Sequence, residues 1–172
     1  MALEIERKYL VDKDKFDKSD CLKTHIIQGY LKNSDDLIVR VRIETYKEDN
    51  GFKYSSKKGY ITIKTKQIGI TRNEYEYEIP VSDAKKMLKL CGNKIVEKNR
   101  YLYFDLIGKN ELTIVVDEYL RKNKGLWTAE VEYPNKKVKT LVPEFAIKDI
   151  TKDNRYKNNN LAINPYSNWK NK

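Results

Sequence analysis

Over long stretches the chain alternates apolar or aromatic residues with charged ones, a period of two that puts neighbouring side chains on opposite faces of a strand. Bounded by turn residues, this pattern predicts strands near Leu3–Val11, His25–Lys32, Leu37–Tyr46, Tyr60–Lys66, Arg72–Pro80, Ile95–Leu106, Leu112–Leu120 and Leu126–Pro134. Eight strands are enough to close a barrel. One helix is clearly marked, because Ser82 and Asp83 precede AKKMLKLC and Gly92 follows it; its capped pattern buries Ala84, Met87, Leu88 and Cys91. Fainter helical patterns lie at Asp12–Lys23, Pro143–Ile147 and Asn158–Ile163. The polar, glycine-bearing stretch Lys47–Gly59 reads as a mobile hairpin loop. No repeat or low-complexity block interrupts the chain. The expectation is one domain over residues 1–172, mainly β (α+β), an eight-stranded antiparallel closed barrel with a few flanking helices.

Within these strands the charges fall in rows. Residues two apart share a face, so Glu4, Glu6 and Lys8 align in the first strand, Arg40 and Arg42 in the third, and Lys64 and Lys66 in the fourth. Glu74, Glu76 and Glu78 follow, then Lys98 and Arg100, then Glu130 and Glu132. Opposite them stand Ile5 and Tyr9, Val39, Val41 and Ile43, Ile61 and Ile63, Tyr75, Tyr77 and Ile79, Tyr101 and Tyr103, and Val131 and Tyr133. A sheet with a core on one side and water on the other explains any single strand. It does not explain the set, since solvated faces mix neutral polar residues with both signs, whereas most strands here carry nearly one sign. A barrel with a polar lumen does: acidic pairs hold a divalent cation, basic pairs grip phosphate oxygens, and apolar faces turn outward beneath helices. Seven acids (Glu4, Glu6, Glu74, Glu76, Asp117, Glu130, Glu132) then face seven bases (Lys8, Arg40, Arg42, Lys64, Lys66, Lys98, Arg100). A cation and a polyphosphate entering together preserve that balance.

The chain as a whole is less balanced. Its 172 residues carry 35 Lys plus Arg against 25 Asp plus Glu, a formal charge of +10, which points to an acidic partner: nucleic acid, a phosphate compound or an anionic membrane. Three of the seven arginines, Arg40, Arg42 and Arg100, fall in the charged rows, where a planar fork suits bidentate phosphate contacts. Two cysteines, Cys21 and Cys91, form neither a disulfide framework nor a zinc motif. The N-terminal MALEIERKYLV has charges where a signal peptide needs an apolar run, and nothing approaches the roughly 20 apolar residues of a membrane span. A cytoplasmic protein with no membrane partner is expected.

The N-terminal EIERKYLV resembles the ExExK hallmark of the CYTH proteins, also called triphosphate tunnel metalloenzymes. The resemblance continues through QGYL (Gln28–Leu31), VRVR (Val39–Arg42), TIKTK (Thr62–Lys66), RNEYEYEIP (Arg72–Pro80), VEKNRY (Val96–Tyr101), VDEYL (Val116–Leu120), AEVEYP (Ala129–Pro134) and DITKDNRYKNNNLA (Asp149–Ala162). It implies an eight-stranded tunnel that binds a triphosphate with Mg²⁺ or Mn²⁺ and cleaves or cyclises it. The short form with QGYL and RYKN looks most like bacterial inorganic triphosphatases.

By matching positions, the resemblance implies that Arg40, Arg42, Lys64, Lys66, Lys98 and Arg100 hold the phosphate chain, and that Glu4, Glu6, Glu130 and Glu132 carry the metal. Glu74, Glu76 and Asp117 are candidates for a second cation or for orienting water; Lys8 is a candidate contact to the terminal phosphate, aimed by Tyr30, whose alternative is core packing. Glu78 is expected at the rim. Arg72 and Arg155 are expected at the mouth or in surface ion pairs, and His25 in a structural role. The expected reaction is metal-assisted attack of water on a terminal phosphorus; GxSxG, a Cys/His pair and a Walker loop are all absent from the sequence. The alternatives are a class IV adenylate cyclase, a thiamine or nucleoside triphosphatase, and a non-enzymatic polyphosphate or RNA binder. Nucleic acid is disfavoured because the tyrosines mostly oppose the charged rows. The oligomeric state is not fixed by the sequence, with a homodimer as an open alternative.

Overall fold

The computed structural model describes residues 5–19, 21–47, 55–66, 73–107, 110–133 and 142–169. Its strands are β1 (Ile5–Val11), β2 (Leu22–Asn33), β3 (Leu37–Lys47), β4 (Ser55–Thr65), β5 (Glu74–Ile79), β6 (Ile95–Ile107), β7 (Asn110–Tyr119), β8 (Trp127–Tyr133) and β9 (Ala146–Asp149), with helices α1 (Val81–Leu90) and α2 (Asn158–Ile163). They form one sheet in the order β5-β4-β3-β2-β6-β7-β8-β1-β9, antiparallel at every pairing.

Among the described residues nine strands replace the expected eight. The Pro143–Ile147 helix is not formed: Ala146 N–H donates to the Pro143 carbonyl at 2.9 Å, and the chain leaves that turn extended along β1, with Tyr9 opposite Asp149. Asp12–Lys23 is not helical either. Asp12 and Asp17 accept from the N–H groups of Asp14 and Ser19, local turns that compete with a helix while Phe16 enters the core. Ser55–Gly59, expected in the loop, is the start of β4 because Lys57 and Lys58 pair with Thr45 and Glu44; the stretch 48–54 lies outside the described residues.

The apolar pattern does assemble the outer core. Helix α1 starts at Val81, one residue before the expected cap: the Pro80 carbonyl accepts from Asp83 and Ala84, with no side-chain cap. Its Ala84, Met87 and Leu88 pack on Val41, Ile43 and Ile61. Gly59 permits this approach, since a Cβ there would lie 2.9 Å from the Ala84 Cβ. The other half of the outer face is covered by the chain segments around Phe16 and Phe145, which meet at 5.0 Å over Tyr9, Tyr101, Trp127 and Val131. Coverage by helices is thus only partial, and Tyr75 and Tyr77 on edge strand β5 remain 48% and 58% exposed.

Among the described residues no ladder joins the edge strands β5 and β9, so the hydrogen-bonded sheet is open. It is nevertheless curled. Lys64 of β4 and Glu6 of β1 line one cavity of about 270 Å³, yet six strand steps separate them, about 29 Å in a flat sheet at ~4.8 Å per strand. The inner face is apolar at one end, where Leu10, Tyr30, Ile38, Val96 and Tyr119 meet Ile150, Tyr156, Leu161, Ala162 and Trp169 of the C-terminal segment. That segment fills one end of the curl. No described helix is long and apolar enough to cross a membrane.

Candidate active site

Strand register sets opposite charges side by side on the inner face, where a facing pair stabilises and like charges repel. Lys8 lies opposite Glu130, and its Nζ donates to Oε1 at 3.0 Å. Arg100 lies opposite Asp117 and binds it through Nε at 2.9 Å and Nη2 at 3.0 Å, a bidentate fork. Lys98 donates to the same carboxylate at 2.5 Å, both side chains being 1% exposed. On the other wall Arg40, Thr62 and Glu76 stand in one row across β3, β4 and β5. Arg40 Nη2 and Arg42 Nη2 reach the two oxygens of Glu76, each at 3.0 Å, and the Arg42 guanidinium lies over the Tyr60 ring. Lys64 donates to Glu74 at 2.5 Å.

These neighbours shift the ionisations. Burial alone would raise the Asp117 carboxyl, but Arg100 and Lys98 hold it well below the usual carboxylate range. Lys98 is pushed down to about 8, first by desolvation and then by Arg100. Lys8 is held above its ordinary value by Tyr119, Glu130 and Asp117, which outweigh its desolvation. Glu76 is lowered despite partial desolvation, through Thr62, Arg42 and Arg40. Glu6 moves the other way, up to about 7, by desolvation and then by the nearby Glu130 charge, with a further push from Glu132.

Among the described residues no three Asp, Glu, His or Cys side chains already form a ready metal cluster. Glu4 lies outside the described residues. The donors present nonetheless fit a hard divalent cation: Glu6 faces Glu132 across β1 and β8, with Glu130 close enough to raise the Glu6 carboxyl further beyond its desolvation.

Other expected residues separate in space. Lys8, Tyr30, Arg40, Lys64, Glu6 and Glu130 line the 270 Å³ cavity, while Arg42, Glu76, Lys98, Arg100 and Asp117 join it through ion pairs. Lys66 does not: past the end of β4, its side chain is 67% exposed and pairs with Asp36. The Tyr30 hydroxyl accepts from Gln28 at 2.8 Å within the apolar end, and Lys8 is aimed by Glu130. Asp117 commits both oxygens to Lys98 and Arg100, so its geometry is that of an anchor for the two bases. Glu78 is 59% exposed and pairs with Lys58, Arg155 pairs with Asp153 and lies over Trp169, and His25 meets Glu97 on the outer face. Arg72 lies outside the described residues. Sequence patterning missed Thr62, a buried hydroxyl inside the basic TIKTK row, and Thr151, Lys157, Asn158 and Asn159, which the C-terminal segment brings to the cavity. The RYKNNN stretch was the signal for the last three, since a helix forming there delivers them together.

A curled antiparallel sheet whose inner face sets guanidinium and ammonium groups among carboxylates around a shared cavity defines a β protein whose chemistry suits a multiply charged anion. Residues 2–158 match the CYTH domain, and the chain belongs to that family. It is 40% identical over 171 residues to an inorganic triphosphatase of Acetivibrio thermocellus, covering 99% of each chain. An inorganic triphosphatase of Nitrosomonas europaea is 29% identical over 164 residues, covering 93% of this chain and 97% of that one. The crystal structure of the inorganic triphosphatase NE1496 superposes with a TM-score of 0.68 at 26% identity, covering 95% of this chain and 96% of that one.

Proposed function

We propose that this chain is a metal-dependent triphosphatase that hydrolyses inorganic triphosphate to pyrophosphate and phosphate. One observation carries the reading: a single cavity brings Lys8, Arg40 and Lys64 within the same walls as Glu6 and Glu130. Its full-length relatives named inorganic triphosphatases support it. In this reading the curl is the wall of a tunnel whose seam lies between β5 and β9.

Lys8, Arg40, Lys64 and Arg100, with Arg42 and Lys98 behind them, act as fixed donors to the phosphate oxygens. Because they are already held by carboxylates, little reorganisation is needed as charge develops. Glu6, Glu130 and Glu132, with Glu4 by the ExExK resemblance, are the donors for Mg²⁺ or Mn²⁺, which when bound would neutralise charge on the phosphate chain. Water attacks the terminal phosphorus in line; its oxygen forms the new P–O bond as the bridging P–O bond breaks, and pyrophosphate leaves. We assign the orientation of that water to Glu74, which is 44% exposed beside Lys64. Glu76 is assigned to holding the two arginines.

RNA binding is less well supported, because Tyr9, Tyr30, Tyr101, Tyr119 and Tyr156 are buried and the exposed Tyr75 and Tyr77 lie on the face of β5 opposite Glu74 and Glu76, away from the basic row. The deciding experiment incubates the protein with tripolyphosphate, ATP and thiamine triphosphate in Mg²⁺ or Mn²⁺ and resolves the products. Phosphate release from tripolyphosphate is expected; cyclic AMP from ATP, or no turnover of any substrate, overturns the reading. Arg42→Ala is expected to lose about 10²–10³-fold in kcat with its melting transition retained. Near-normal turnover would reject the arginine assignment.

A further inference from the structure

We propose that Thr62 is a positioning residue, whose hydroxyl ties Glu76 of the edge strand to Arg40 so that both arginines face the anion as one aimed unit. The proposal takes its kinetic readout from the triphosphatase reading above. Thr62 is fully buried on β4, between Arg40 of β3 and Glu76 of β5 in the same row of the ladder. Its Oγ1 donates to Glu76 Oε2 at 2.6 Å and accepts from Arg40 Nη2 at 3.0 Å. Arg40 Nη2 also reaches that Glu76 oxygen at 3.0 Å, closing a three-way set, while the second Glu76 oxygen takes Arg42.

Thr62 matters because of where Glu76 sits. Strand β5 pairs on one side only, and its outward Tyr75 and Tyr77 are exposed, so packing does little to fix the carboxylate. Strand β4 is paired on both sides, and the hydroxyl it presents is therefore the rigid reference for Glu76 and Arg40, and for the hold that Glu76 adds to Arg42. Arg40 Nε is buried without a hydrogen-bond partner in the described structure, so Arg40 depends on its Nη2 contacts to Thr62 and Glu76 for aim, whereas Arg42 is held a second time by Glu44, 3.1 Å from its Nε. Valine in place of Thr62 fills nearly the same space yet removes the donor and the acceptor together. Serine keeps both and removes only the methyl group.

The test compares wild type, Thr62→Val, Thr62→Ser, Glu76→Ala and Thr62→Val with Glu76→Ala, measuring kcat and KM for tripolyphosphate with Mg²⁺ and the melting temperature of each. Thr62→Val is expected to lose about 10- to 100-fold in kcat/KM, chiefly by a raised KM, the size of a hydrogen bond to a charged group. Thr62→Ser is expected to retain most of the activity. In the Glu76→Ala background the valine change is expected to cost clearly less than in wild type, because of the two partners of the hydroxyl only Arg40 remains. A purely packing role predicts the reverse order, with serine the more damaging change, and that result overturns the proposal. So does a Thr62→Val enzyme with wild-type KM, or a full additive loss in the double variant. Should wild type release no phosphate, the triphosphatase reading fails. The melting temperatures then still decide on Thr62, which requires the valine change to destabilise more when Glu76 is present than when it is absent; equal losses in the two backgrounds overturn the proposal.

Discussion

Asp117 is the residue on which the buried charges turn. Its two oxygens hold Lys98, which is shut away from water, and the Arg100 fork, so Asp117→Asn leaves Lys98 without its counter-charge and Arg100 with Glu130 alone. Breaking such a buried pair costs about 3–5 kcal/mol, and urea unfolding is expected to show a loss of that order; a loss near zero would mean that water reaches Lys98. Glu6 gives a pH signature of the opposite sense. Its folded value of about 7 exceeds the ordinary 4.5, so the metal-free fold favours protonated Glu6 and loses that preference as pH rises from 4.5 towards 7. A cation must displace this proton. Mn²⁺ affinity by calorimetry is therefore expected to rise by up to about tenfold per pH unit below about pH 7 and to level off above it, and Glu6→Gln to flatten the slope and stabilise the metal-free protein above pH 7. The charged rows were legible in the sequence because residues two apart share a strand face, and Lys8, Arg40, Arg42, Lys64, Lys98 and Arg100 reach the site on that rule alone. The rule fails for Lys66, which lies past the last paired residue of β4, and is blind to Thr62, whose hydroxyl acquires its role from Arg40 and Glu76 on neighbouring strands.

The eight patterned strands formed because alternation is a local signal that tertiary packing then reinforced. Strand β9 escaped notice since AIKD is short and owes its extension to the β1 edge, not to its own pattern. Likewise, Asp12–Lys23 carries a helical pattern in its apolar residues, but aspartate turns and the pull of Phe16 into the aromatic cluster defeat it. Helix α1 is seated by a missing side chain at Gly59. A Cβ there would press on Ala84 Cβ and the Ile79 carbonyl, both at 2.9 Å, so Gly59→Val is expected to cost about 1–3 kcal/mol in thermal unfolding. Activity of the folded fraction should change far less, because α1 lies on the face of the sheet away from the cavity. Equal stability of variant and wild type would mean that the helix rides loosely.

At the scale of the molecule, an open ladder curls far enough for β4 and β1 to share a cavity, and its excess of positive charge suits an anionic guest. Tripolyphosphate with Mg²⁺ at about a hundredfold excess over its Kd adds about 2.7 kcal/mol to the folded state, so the melting temperature is expected to rise by roughly 5–10 °C. Arg40→Ala should shrink that rise, and an unchanged rise would move the anion elsewhere. The C-terminal segment from Ile150 to Trp169 occupies the apolar end of the curl, with Lys157 and Asn158 turned to the cavity and Leu161 behind them. A chamber stoppered by its own chain makes the stopper part of the wall: Lys157 and Asn158 meet whatever guest Lys8 and Arg40 receive, although no strand carries them.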